Sequence, residues 1–129
     1  MHTNILTPAA PQPLGHYSQA VLDNGLLFVS GQLPIDPFTS KPVLGPVGEQ
    51  TSLALRNLMA IVAAAGGVRE DILKVTVYIS DIAHWREINM AYAAFFGAHR
   101  PARSAVPTGR LHFDADVEIE AVARIGGHR

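Results

Sequence analysis

An arginine opens a short strand in otherwise apolar surroundings at Pro101-Ala102-Arg103-Ser104-Ala105-Val106. Its planar fork can take a carboxylate bidentately, and charge-assisted bonds of this kind contribute about 1.5 to 3 kcal/mol each. Spacing alone leaves a second reading open, an intersubunit salt bridge from Arg103 to Glu118, Glu120 or another acid. Glu118 carries the same ambiguity. Mid-strand and opposite in facing to Val117 and Ile119, it is either an exposed solubilising charge or an acid facing a cleft between subunits.

Other chemistries are poorly supported. His2, His16, His84, His99, His112 and His128 are scattered, with none of the His-x-His or His-x-x-x-His groupings a metal site uses, and no metal is expected. His84 and His99 fall near predicted helix ends, where surface placement is the ordinary explanation. The glycines form neither a dinucleotide nor a phosphate-loop fingerprint, so no nucleotide cofactor is expected. Ser30 and Ser104 lack the Gly-x-Ser-x-Gly setting of a hydrolase nucleophile.

The elements that must position Arg103 and Glu118 follow from periodicity. Residues 1–16, with Pro8, Pro11, Pro13 and Gly15, read as an extended arm. Ser18 to Leu22 and Leu26 to Gln32 read as strands joined at Asp23-Asn24-Gly25, where Asn-Gly between apolar runs signals a β-hairpin. A long loop rich in proline and glycine follows to Gly48 and is a candidate pocket wall. Leu55, Leu58, Met59 and Val62 predict a helix stopped by Gly66-Gly67. Ile72 to Ser80 alternates as a strand, with Val75, Val77 and Ile79 on one face and Lys74, Thr76 and Tyr78 on the other. Asp81 is a start signal for a second helix carrying Trp85, Ile88, Tyr92, Phe95 and Phe96. Ala102 to Val106 and Asp116 to Ile125 complete a ββαβαββ order. Its expected architecture is α+β, one domain over 1–129, with both helices on one face of the sheet. The other face, carrying Tyr78 and Glu118, then needs water or a partner.

Composition narrows the class. The 129 residues carry 10 basic and 11 acidic side chains, a formal net charge of −1, so no global field draws in nucleic acid or an anionic membrane. Cysteine is absent, which removes disulfides, thiolate metal sites and thiol nucleophiles and points to a cytoplasmic setting. The longest apolar run, Leu58 to Val68, is well short of the roughly 20 residues of a membrane span, and the N-terminus does not read as a signal peptide. Charged residues are 16% against about 25% in typical chains, which suggests that some surface is covered by copies of the same chain.

Several blocks occur in order: Gly15-His16-Tyr17-Ser18-Gln19-Ala20, Ser30-Gly31-Gln32-Leu33-Pro34, Glu49-Gln50-Thr51, Asn89 to Tyr92, Pro101-Ala102-Arg103-Ser104 and Glu118-Ile119-Glu120-Ala121. Together they resemble the RidA/YjgF enamine/imine deaminase family over nearly the whole chain. The resemblance implies a chorismate-mutase-like subunit, a homotrimer with ligand sites between subunits, and hydrolysis of 2-imino acids or enamines to 2-keto acids and ammonia without a cofactor. Carried over block by block, Arg103 resembles the residue that binds the substrate carboxylate, Glu118 the acid that activates water, and Tyr17 the cleft tyrosine. Ser30, Gly31 and Asn89 match positions that shape the site. Each has a plainer role open to it: Tyr17 as a wedge between subunits, Gly31 as a backbone necessity, Asn89 as a capping or interhelix contact.

Two departures stand out. Ala105 occupies a position that is often cysteine in the deaminase branch: if that residue acts through its backbone N–H, alanine retains the second donor to the carboxylate and binding survives, whereas if the sulfur matters the deaminase activity is lost with it. Pro107-Thr108-Gly109 replaces a more regular strand, so this edge is expected to bend or bulge. A non-catalytic trimer binding small carboxylates is the alternative function. Ribonuclease action is a weaker one, since only Arg100 and Arg103 approach a basic cluster.

Overall fold

The structure is a computed structural model that describes residues 1–126. In chain order its elements are β1 (Thr3–Ile5), β2 (Ala20–Asp23), β3 (Leu26–Gln32), α1 (Val47–Ala64), β4 (Ile72–Ile79), α2 (Trp85–Phe96), β5 (Ala102–Pro107) and β6 (Val117–Arg124). They form an α+β layer pair, a six-stranded sheet in the order β1-β2-β3-β6-β4-β5 under two helices. β4 and β5 are parallel, as the α2 crossover between them requires, and the remaining pairs are antiparallel. No helix of the described residues is long and apolar enough to cross a membrane.

Alternation places the core. Leu27 and Val29 of β3, Val75, Val77 and Ile79 of β4, and Val117, Ile119 and Ala123 of β6 are buried toward the helices. They meet Leu55, Leu58, Ile61 and Val62 of α1 and Ile88, Tyr92 and Phe96 of α2. The hairpin forms at the expected turn, with Asn24 and Gly25 at φ of 52° and 81°, the left-handed pair that matches strand twist.

Three expectations are corrected. The arm contains a strand, β1, so the order is βββαβαββ. Too short to show a period, β1 is held by pairing with β2 and by the buried Gln19, whose amide donates to the carbonyls of Thr7 and Pro11 at 3.1 and 3.0 Å while its Oε1 accepts the Thr7 N–H at 2.7 Å. Asp81 caps a short 3-10 turn at Ile82–His84, accepting the Ala83 N–H at 2.9 Å, and α2 begins only at Trp85. Pro107 neither bends nor bulges the edge: it pairs with Ile79 as the last residue of β5, where Thr108 N–H closes onto the Ile79 carbonyl at 2.8 Å. The irregularities lie instead between Val29 and Gln32 and between Ile72 and Lys74.

His99, expected at the surface, is partly buried, with Nε2 at 2.7 Å from the Ile72 carbonyl. His128 lies outside the described residues. The long loop is pinned to α1 by Asn57, which donates to Leu33 and Ile35 carbonyls at 3.1 and 2.8 Å.

Candidate functional site

Strand register decides where the two candidate residues stand. Arg103 pairs with Val75 and therefore projects to the helix side of the sheet, whereas Glu118 pairs with Tyr78 and projects to the opposite side. Within one subunit they do not share a cavity. Each lines its own, about 640 Å³ around Glu118 and about 450 Å³ around Arg103.

The first cavity collects Tyr17, Ser30, Gly31 and Glu118. Gly31 leaves the carboxylate its place: a methyl group on its Cα would lie 2.6 Å from Glu118 Oε2 and 3.0 Å from its Cδ, so the Glu118 side chain would have to move. The glycine thus clears the path of the carboxylate across the irregular stretch of β3. Ser30 Oγ donates to the Ser18 carbonyl at 2.7 Å, tying β3 to the segment that carries Tyr17 and leaving the oxygen only as an acceptor toward the cavity. Tyr17 Oη accepts the Leu14 N–H at 3.3 Å, so its own proton remains available to donate. Burial pushes the Glu118 carboxyl above the ordinary range; the nearby His112 opposes this, and the Glu120 carboxylate adds to it. A carboxyl so placed is a better proton acceptor than an exposed one.

The second cavity is built around the guanidinium. Its central carbon lies 4.6 Å from the ring centroids of both Trp85 and Tyr92, and Nη1 donates to Asn89 Oδ1 at 2.9 Å. Trp85, Asn89 and Tyr92 follow helical spacing along α2, which faces them together toward β5. Two aromatic contacts of about 0.5 to 2 kcal/mol each hold the cation without neutralising it. Among the described residues no carboxylate lies within ion-pair distance of Arg103, so the salt-bridge reading finds no partner within the subunit. Burial raises the Tyr92 phenol, and among the described residues its buried oxygen finds no hydrogen-bond partner.

Ala105 lies two residues along the edge strand in the same row as Arg103 and is exposed, lining neither cavity. Sequence reasoning missed His112, Phe113 and Glu120 at the first cavity and Trp85 and Tyr92 at the second. The period of two that displays Glu118 also displays Glu120, and the helical spacing of Trp85, Asn89 and Tyr92 was likewise available. His112 and Phe113 sit in a 3-10 turn with no periodic signal. The long loop from Pro34 to Gly48, expected as a pocket wall, contributes no residue to the Glu118 cavity; its Val43, Pro46 and Gly48 line a separate cavity beside the helices.

Comparison with known proteins supports the whole-chain resemblance. The endoribonuclease L-PSP family model matches residues 7–125. A RutC family protein of Pyrococcus horikoshii is 46% identical over 119 residues, covering 92% of this chain and 94% of that protein. The chloroplastic Reactive Intermediate Deaminase A of Arabidopsis thaliana is 38% identical, covering 94% of this chain and 65% of that protein. The crystal structure of a candidate endoribonuclease from Thermotoga maritima superposes with a TM-score of 0.94 at 42% identity, over 98% of this chain and all of the other. On these grounds, the chain belongs to the endoribonuclease L-PSP family, the group that also carries the Rid, YjgF and RutC names.

Proposed function

We propose that this protein hydrolyses reactive 2-imino acids, or their enamine tautomers, to 2-keto acids and ammonia, in clefts where the Arg103 cavity of one subunit faces the Glu118 cavity of the next. The observation that carries the reading is the split itself: an oriented guanidinium without an acid partner on one side of the sheet, and a carboxyl of raised pKa in an open cavity on the other. Apart, neither half does chemistry. A homotrimer brings them together, and the name of the Arabidopsis relative supports the reaction.

In such a cleft the free edge of the Arg103 fork holds the substrate carboxylate, with Asn89, Trp85 and Tyr92 keeping the fork in place. The exposed edge of β5 at Ala105 presents backbone beside it. Glu118 takes a proton from water as the oxygen attacks the carbon of the protonated imine, the C=N pair moves onto nitrogen, and a neutral carbinolamine results. Tyr17 donates a hydrogen bond to the attacking water or the departing nitrogen. The proton held by Glu118 passes to that nitrogen, and as the C–N bond breaks and ammonia leaves, the carboxylate takes back the hydroxyl proton so that the carbonyl forms. Positioning and general-base assistance of about 10²–10⁴-fold suffice for a bond that water already splits unaided.

No metal, redox cofactor or covalent adduct enters this scheme. A ribonuclease reading is disfavoured by charge, since Glu118 and Glu120 both line the first cavity and repel a phosphate backbone. The test is pyruvate release from freshly generated 2-iminopropanoate. Wild-type protein accelerates it, and Arg103→Ala returns it to the uncatalysed rate; equal rates from both proteins would leave only the carboxylate-binding function.

A further inference from the structure

The rim of the Glu118 cavity is more apolar than its floor. Leu14, Tyr17 and Phe113 stand there 62%, 51% and 47% exposed, with Leu33 behind them. Phe113 is held in place by an unusual backbone. It and Asp114 take φ of 60° and 58°, two consecutive left-handed residues, neither of them glycine. A bulky side chain disfavours that conformation, and it persists where the surroundings impose it. Here Arg110 Nε bonds Asp114 Oδ1 at 2.7 Å, Ala115 N–H reaches the His112 carbonyl at 3.1 Å, and Ala115 itself is buried at the start of the turn into β6. The strained turn keeps an aromatic ring on the wall of the Glu118 cavity.

Leu14 and Leu33 line the same cavity, so three apolar side chains share it with Glu118. We infer that Phe113 selects 2-imino and 2-keto acids bearing an aromatic or branched apolar side chain, which packs against Phe113, Leu14 and Leu33 while the carboxylate lies toward the arginine. This rests on the Glu118 cavity being the ligand site of the proposed function.

Binding of stable keto acids tests the inference without turnover. By calorimetry on the assembled protein, phenylpyruvate should bind at least about tenfold more tightly than pyruvate, the order of discrimination apolar pockets achieve. Phe113→Asn removes the ring while supplying a residue at ease with positive φ, and should erase that ratio with pyruvate affinity changed less than about threefold. Phe113→Leu should keep most of it. Equal affinities in the wild type, or a preference that survives Phe113→Asn, would overturn the inference. If Phe113 serves only to mate subunits, Phe113→Asn loosens assembly and leaves the ratio untouched, which overturns it equally. A retained preference in a protein that hydrolyses no imine would strike down the deaminase reaction and leave the selectivity standing.

Discussion

At the scale of single residues, the structure sets Arg103 and Glu118 on opposite sides of the sheet. Arg103 is braced by Asn89 and two rings, so its fork geometry matters as well as its charge. Arg103→Lys keeps the charge but not the fork, and calorimetric affinity for pyruvate should fall at least about tenfold; Arg103→Ala should cost at least about a hundredfold, the low end for two charge-assisted bonds. Glu118 should set the acid limb of the pH–rate profile, because only its deprotonated form accepts a proton from water. Burial and Glu120 hold its carboxyl up, while His112 pulls it down. Glu120→Gln should therefore shift the limb to lower pH and His112→Ala to higher pH, both read from kcat/KM for 2-iminopropanoate; shifts in the reverse directions would show that another group titrates. Arg103 and Glu118 were legible as candidates in the sequence because a lone cation in apolar surroundings and an acid in mid-strand are local anomalies, although spacing alone left each a plainer reading and only the family resemblance gave them roles. His112 and Phe113 were not, since only the fold of an aperiodic turn carries them to the carboxylate.

At the scale of elements, β3 is where geometry is most constrained. Gly31 leaves room for Glu118 to cross, and Gly31→Ala forces the carboxylate aside by closing a gap to 2.6 Å. Hydrolysis should drop about a hundredfold, as for a misplaced catalytic group, while the melting temperature moves only a few degrees; an unchanged rate would mean the carboxylate position is unimportant. The helices, the hairpin and strands β4 and β6 could be read from period and turn chemistry because each buries one face. β1 could not, because three residues show no period and their place depends on Gln19, far along the chain. The start of α2 was misplaced for a related reason: Asp81 is a true cap, but of a 3-10 turn that precedes the helix. Pro107 was read as a disruption, yet at the end of an edge strand its missing N–H costs the ladder nothing.

At the scale of the whole molecule, the sheet face turned away from the helices carries Phe28 and Val106, 48% and 37% exposed, beside Tyr78, Glu118 and Glu120. Burial and the two carboxylates keep the Tyr78 phenol protonated beyond its usual range. The strand alternation in the sequence already sets this face apart, with Tyr78 and Glu118 on it. Phe28 pairs with Val21 and Val122, so Phe28→Glu plants a charge in an apolar row. By sedimentation, the wild-type protein should have the mass of three subunits and the variant that of one, with hydrolysis lost alongside. The most direct test exploits the separation of Arg103 and Glu118 by the sheet. Arg103→Ala and Glu118→Gln, each inactive alone, are unfolded, mixed in equal amounts and refolded together. If every cleft takes its arginine from one subunit and its acid from another, about a quarter of wild-type imine hydrolysis returns, because half the subunits supply each intact residue and the two are drawn independently. If both residues act within one subunit, the mixture stays as inactive as its parents.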